Sequence, residues 1–321
     1  QGLAIPWVLV AIALEWLIGT WLIARYLRFH QPEGNEDKPR SVLGEFVGYC
    51  LPLVPYAWLS FLYEFADRWL LQAYGGSVHQ AFYAVAAQFG NIAAIATSSI
   101  LNAFWKEIAE ALHLGDIDRV RMLYRKASRI LVIFSASVSG FLIPWSEDIL
   151  RITLGEQFVD GAVTLAIMLL YPIHQSLGQI GGVIFYAMGK VRVQTRIGMG
   201  TMAASIIAAY FILAPSTSAI PGFGLASAGL AIKMVAVQLL GVIIAGVIIA
   251  RSLAMRFDWY HQVSAILIGV LSGWGSREFV LAAFSSHAHL AMMFAIAAVL
   301  HFGLIAMILF LQPWLVASTR K

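Results

Sequence analysis

The chain has 321 residues, of which 60% are hydrophobic and only 12% are charged, and its formal net charge is +4. Soluble domains carry about 25% charged residues, so this composition excludes a water-soluble globular protein. The positive charge does not indicate nucleic-acid binding, because it is divided among short segments that separate apolar runs.

Nine apolar runs are long enough to cross a membrane, which takes about 20 residues per helix. They lie at 3–27, 43–72, 79–109, 127–153, 160–188, 195–215, 223–251, 260–283 and 287–316. Hydrocarbon offers no partners to backbone polar groups, so each run is predicted to be helical. The predicted fold class is an all-α polytopic membrane protein with about nine transmembrane helices.

The basic residues predict the orientation of these spans. Sixteen of the 21 Lys and Arg lie within 25–40, 119–129, 190–196, 251–256 and 320–321, which follow every second run. The other connections, at 73–80, 154–160, 216–222 and 284–289, contain no Lys or Arg. Because positive charge accumulates on the cytoplasmic side, the basic segments and the C-terminus are predicted to be cytoplasmic.

Two polar segments bear on how the chain is organised. A linker at 28–41 separates the first predicted helix from the eight that follow. The basic stretch at 116–129 fits either a short interfacial helix or a cytoplasmic extension of the fourth span. The chain begins inside an apolar run, so we expect it to be the C-terminal part of a longer protein; a complete nine-span protein is the alternative.

Charged residues occur near the predicted outer end of the second span. Glu64 and Arg68 are four residues apart, so an i,i+4 ion pair between them is one interpretation. Asp67 is a candidate either for a structural ion pair or for a substrate contact. Polar groups inside a membrane are costly and often mark a substrate path.

The third span carries a polar stripe. Gln88, Asn91, Ser98, Asn102 and Lys106 follow steps of three, seven, four and four residues, so they share one face of a helix. Such a face is expected to meet protein or a water-filled cavity and not lipid. Hydrogen bonds between helices are the alternative role for its amides, and snorkelling to the interface is the alternative for Lys106.

Two other spans carry candidate site residues. Gln175 and Gln179 are four residues apart in the fifth span, and Lys233 is the cation placed nearest the membrane centre in the seventh. Lys233 is either a substrate contact or a structural partner, although no acid within its own helix can reach it. The chain contains no Gly-rich phosphate loop, metal-binding signature or cysteine pair, so an enzyme is not predicted, nor is a cofactor or a metal.

Several short motifs occur in a specific order. They are Ala66-Asp67-Arg68-Trp69, Gly75-Gly76, Ala81-Phe82-Tyr83-Ala84, Leu114-Gly115-Asp116, Leu154-Gly155-Glu156-Gln157-Phe158 and Ala187-Met188-Gly189-Lys190. In this order the chain resembles the second lobe of bacterial polysaccharide flippases. These are members of the multidrug, oligosaccharidyl-lipid and polysaccharide exporter superfamily. Its members have two six-helix lobes around a central cavity, sometimes with two extra C-terminal helices.

This resemblance implies a domain organisation. Residues 1–41 would be the last helix of the first lobe with its cytoplasmic linker, and 42–251 would be the six-helix second lobe. Residues 252–321 would form two additional helices and a cytoplasmic tail. The other five helices of the first lobe have no counterpart in this sequence.

The implied function is to flip a lipid-linked oligosaccharide across the bacterial inner membrane for cell-surface polysaccharide synthesis. Its expected partners are that lipid, membrane lipids and polysaccharide polymerases or glycosyltransferases, and not nucleic acid. The expected substrate-binding residues are Lys233, Lys106, Gln88, Asn91, Asn102, Gln175, Gln179, Asp67 and Arg68. The two lysines would meet the diphosphate and the amides would meet sugar hydroxyls. The alternatives are an ion-coupled multidrug exporter and a non-transporting subunit of polysaccharide assembly.

Overall fold

The computed structural model describes residues 4–29, 44, 47, 51, 53–284, 290–312 and 315. The regular structure of these residues is entirely helical, which confirms the all-α prediction. Residues 30–41 of the predicted linker, 285–289 of the outer connection and the basic tail at 320–321 lie outside the described residues. The chain divides into two compact units, Gln1–Leu51 and Pro52–Lys321.

The first unit contains helix α1, Ala4–Phe29, where the sequence predicts a span at 3–27. Large apolar side chains such as Trp16, Leu17 and Trp21 are exposed on it. The Arg25 guanidinium lies 5.3 Å from the centre of the Trp21 ring. Such a pair is typical of the membrane–water interface, because the Trp ring favours the apolar side and the guanidinium favours water.

Helix α2, Leu53–His113, is broken at Gly76, whose φ of 77° is outside the helical region. In one straight helix, Tyr56 and Leu101 would lie about 68 Å apart at 1.5 Å per residue. Both residues line the same cavity, so the chain reverses at Gly76 and α2 is a helical hairpin. The predicted reversal between the second and third spans is thus found at one glycine, while the rest of 73–80 is helical.

The next two predicted spans are each interrupted. The run at 127–153 forms α3, Ile117–Leu142, a 3-10 turn at Ile143–Trp145, and α4, Ser146–Leu154. The run at 160–188 forms α5, Ala162–Met168, and α6, Tyr171–Ala187. Pro144 and Pro172 lie at the two breaks, where each lacks the N–H that a continuous helix needs.

Helix α3 also decides between the two interpretations of 116–129. Asp116 caps the helix by accepting a hydrogen bond from the Arg119 amide at 2.9 Å. Val120, Leu123 and Tyr124 are buried inside the bundle. The basic stretch is therefore an extension of the fourth span and not a separate interfacial helix.

The remaining helices are α7, Val191–Leu213, α8, Ala226–Ser252, α9, Trp259–Ala283, and α10, Leu290–Leu311. Six stretches of the described chain are long and apolar enough to cross a membrane. They are Ile117–Leu154, Glu156–Ala187, Val191–Leu213, Ala226–Ser252, Trp259–Ala283 and Leu290–Leu311. The other predicted spans, at 3–27, 43–72 and 79–109, overlap α1 and α2 in the residues that the structure describes, and their crossing of the membrane stays a prediction.

Two apolar cores lie at opposite ends of the second unit. At one end, here called the Gly189 end, Ile108, Leu123, Ile184 and Ile249 are buried together. At the other end, called the Gly76 end, Leu71, Tyr83, Leu165, Leu213 and Leu230 form a second cluster. Consecutive long helices run in alternate directions between these ends, so each core joins residues that are distant in sequence.

Helix α9 packs so closely on α3 that their backbones are in contact, and α10 packs against both helices. A Cβ atom added at Gly140 of α3 would overlap the Gly269 carbonyl of α9, and one at Gly273 would overlap the Gly140 carbonyl. Small residues allow such close approach between helices in lipid. The buried His301 of α10 donates from Nε2 to the Ser137 carbonyl oxygen at 2.9 Å, while its Nδ1 lies 3.0 Å from the Ser272 hydroxyl.

The charge-based orientation can be tested with a thiol reagent that does not cross membranes. With the single Cys50 replaced by alanine, we expect Ser77→Cys and Ser216→Cys to react in intact cells. Lys126→Cys and Arg192→Cys, which are also exposed, should react only after lysis. The opposite labelling pattern would reverse the predicted topology.

Candidate functional site

A buried ion pair joins α2 to α8 near the Gly76 end. Lys233 Nζ lies 2.5 Å from Asp67 Oδ2, and the two residues are 1% and 4% exposed. The Lys233 ammonium also lies 5.0 Å from the centre of the Tyr63 ring. The Tyr63 hydroxyl in turn donates to the Met234 sulfur at 2.7 Å. The partner that Lys233 lacks within its own helix is thus supplied by α2.

This pairing favours the structural interpretation of Lys233 and Asp67. A buried charge is tolerated when an opposite charge and hydrogen bonds replace water. The Asp67 Oδ1 atom is buried without a hydrogen-bond partner among the described residues, so its carboxylate is only partly satisfied. A direct contact of Lys233 with a substrate stays a prediction, and it would require the pair to open.

A cavity of about 440 Å³ lies beside this pair, between α2, α6, α7 and α8. Its volume is within the range of about 300–1,000 Å³ that is common for small-molecule sites. Trp105 and Tyr186 line it and are themselves exposed, whereas Tyr63 lines it and is buried. The cavity therefore extends inward from the surface to Tyr63, whose ring centre lies 5.0 Å from the Lys233 ammonium.

Amides and hydroxyls supply most of the polar groups of the cavity. Four glutamines line it (Gln175, Gln179, Gln194 and Gln238), together with Thr201 and Ser205. The Oε1 atoms of Gln175 and Gln179 are buried without a hydrogen-bond partner among the described residues. Because buried polar atoms are usually satisfied, these two carbonyl oxygens represent unused hydrogen-bonding capacity in residues that line the cavity.

Aromatic rings and glycines shape the rest of the lining. Tyr56, Tyr63, Trp105 and Tyr186 provide ring faces and edges, and Gly178, Gly182, Gly198 and Gly241 leave space by lacking side chains. The Tyr56 ring rests on Gly198, where an added Cβ would come within 2.6 Å of Tyr56 Cε2. This close contact fixes the position of the ring.

The candidate residues of the third predicted span lie elsewhere. Gln88, Asn91, Asn102 and Lys106 are exposed on one face of α2. No helix within the described ranges covers that face, so the protein or water-filled cavity expected against it stays a prediction. Trp105 connects the two regions, because it lines the cavity and directly precedes Lys106.

Arg68 does not take part in the cavity or in the buried pair. Both Glu64 and Arg68 are exposed, and the ion pair that the described residues form in this stretch joins Asp67 to Lys233. The predicted i,i+4 pair between Glu64 and Arg68, both within the described part of α2, is not formed. A salt bridge exposed to solvent is worth little, so its absence costs little.

Part of the cavity has a signature in the sequence that the predicted site residues did not include. Gln194, Gly198, Thr201 and Ser205 follow steps of four, three and four residues along α7, so they form one polar and open helix face. Gln238 and Gly241 extend the same kind of face on α8. No comparable pattern identifies Tyr56 and Tyr63, since aromatic residues are common throughout the chain.

The fold and the site define an all-α, multi-pass membrane protein with an uncharged cavity that is lined by amides, hydroxyls and aromatic rings inside a helix bundle. Comparison with models of protein families, with curated proteins and with solved structures gave no match for this chain. The resemblance to polysaccharide flippases therefore stays a hypothesis based on the motifs between Ala66 and Lys190.

Proposed function

We propose that this chain is part of a flippase that moves a lipid-linked oligosaccharide across the bacterial inner membrane for cell-surface polysaccharide synthesis. The observation that carries the proposal is the cavity lined by glutamine amides, hydroxyls and aromatic rings inside an apolar bundle. Sugar hydroxyls cross hydrocarbon only at a large cost, because they lose their hydrogen bonds to water. Amides and hydroxyls of the protein can replace those bonds.

The charged end of such a lipid needs a different environment. Lys106 on the exposed α2 face can attract a diphosphate, while Gln88, Asn91 and Asn102 extend this polar face along the helix. The lipid tail would remain in the bilayer. Rocking of one half of the transporter against the other would give alternating access.

The proposal is tested by complementing a flippase-deficient strain with the gene that encodes this chain. We expect Gln175→Leu combined with Gln179→Leu to lower surface polysaccharide roughly tenfold to thirtyfold at limiting substrate. This loss corresponds to two net hydrogen bonds of about 1 kcal/mol each. Membrane abundance, measured in parallel, should remain normal.

Gln72→Leu is the matched control, because Gln72 is an exposed glutamine of α2 outside the cavity. Its polysaccharide output should equal that of the unmodified protein. Unchanged output from the double cavity variant would refute the flippase proposal. A loss of resistance to cationic dyes with normal polysaccharide would favour the multidrug exporter, and no change in either would favour the assembly subunit.

A further inference from the structure

The cavity differs from the rest of the predicted site in its electrostatics. None of the described residues that line it carries a charge. The buried ionic groups beside Tyr63, Asp67 and Lys233, pair with each other, and neither of them lines the cavity. An anion inside the cavity would therefore be buried without a counter-charge, which is strongly unfavourable.

We propose that this cavity binds an uncharged sugar unit, whereas the phosphate end of the substrate stays outside it on the exposed face of α2. This inference rests on the proposed function and adds the substrate class of the site. It predicts that neutral hexoses and N-acetylated hexosamines enter the cavity, and that uronic acids and diphosphate do not.

The lining matches a neutral sugar in its hydrogen-bonding capacity. Each sugar hydroxyl both donates and accepts a hydrogen bond, and each glutamine amide offers two donors and one acceptor oxygen. Gln175 and Gln179 line the cavity, and their buried Oε1 atoms lack partners within the described part of the chain, so no bond inside the protein has to break when either amide turns to meet a sugar hydroxyl. The Tyr56 ring, held against Gly198, offers a flat surface to the apolar face of a sugar ring.

The arrangement of α2 allows both parts of one substrate to be held together. Trp105 lines the cavity, and the next residue, Lys106, lies on the exposed face. Successive residues of a helix point about 100° apart. A sugar in the cavity and a phosphate beside Lys106 would therefore lie on adjacent faces of one helix.

Gly182 provides a variant that fills the cavity without disturbing the backbone. A Cβ atom added there would lie 3.8 Å from Tyr186 Cε2 and 3.9 Å from Gln194 Nε2, which are ordinary contact distances. Both of these neighbours line the cavity, so a longer side chain at position 182 would occupy part of the cavity. Gly200→Leu on α7 is the matched control, because nothing lies within 4 Å of an added Cβ at that exposed position.

Binding can be measured by saturation-transfer NMR on the protein in detergent, with N-acetylglucosamine, glucuronic acid and inorganic pyrophosphate as probes. We expect N-acetylglucosamine to bind at least tenfold more tightly than glucuronic acid. Its binding should be lost in Gly182→Leu and kept in Gly200→Leu. Gel filtration shows that each variant is folded, and Gln238→Leu replaces Gly182→Leu if that variant aggregates.

Each outcome decides between this inference and the function on which it rests. Equal binding of glucuronic acid, or pyrophosphate binding that Gly182→Leu removes, would overturn the neutral-sugar site. Absence of N-acetylglucosamine binding, with polysaccharide output still lost in Gly182→Leu cells, would overturn it and leave the flippase proposal standing. Binding as expected, with normal output from Gly182→Leu cells, would support the sugar site and contradict the flippase proposal.

Discussion

Replacing Lys233 by methionine is expected to destabilise the protein by about 3–5 kcal/mol, because it leaves the Asp67 carboxylate buried without a counter-charge. Asp67→Leu should lower the free energy of unfolding by a similar amount, since it leaves the Lys233 ammonium buried without a counter-charge. The double variant Asp67→Leu/Lys233→Met removes both charges and should recover most of the loss. Unfolding in detergent and membrane abundance are the measurements, and Lys126→Met, which alters an exposed lysine, is the control.

The two single variants and the double variant also distinguish the substrate-binding role of Lys233 from its structural role. Single variants that are as stable as the unmodified protein would show that the pair contributes little to stability. Normal abundance with lost polysaccharide output, partly restored by Lys233→Arg, would assign Lys233 to the substrate. Lost abundance that the double variant restores would assign it to the structure, in agreement with its 1% exposure.

Leucine at Gly140 is expected to lower the free energy of unfolding by about 3 kcal/mol, the upper part of the usual range for overpacking. The reason is that even a Cβ at this position meets the Gly269 carbonyl of α9, and the backbone of a helix cannot move aside as a side chain can. Thermal unfolding in detergent measures the loss. Gly273→Leu should behave in the same way from the α9 side.

Gly275→Leu provides the control on the same helix. It is exposed, and nothing lies within 4 Å of a Cβ added there. Its unfolding temperature should match that of the unmodified protein. If Gly140→Leu and Gly275→Leu were equally stable, close packing of α9 on α3 would not be a determinant of stability.

The fold class and the positions of several turns could be predicted from the amino-acid sequence alone. Long apolar runs become helices because the backbone must bond to itself in lipid, and this rule depends on no distant residue. The predicted connections at 73–80 and 154–160 contain the reversal at Gly76 and the turn at Gly155, two positions of positive φ that glycine tolerates. The helical spacing of Gln175 and Gln179 also placed them correctly on one face, which the structure shows to be the face that lines the cavity.

Which helix faces pack together could not be predicted from the sequence, because it depends on tertiary contacts. Helical periodicity tells which residues of one helix share a side, but the rotation of that helix against its neighbours is set by packing. Lys233 therefore pairs with Asp67, which lies on a helix that is remote in sequence, and Gln194 and Gln175 line the same cavity from different helices. By the same rule, the stripe that includes Asn102 and Lys106 faces outward, since the apolar residues of α2 supply its contacts within the bundle.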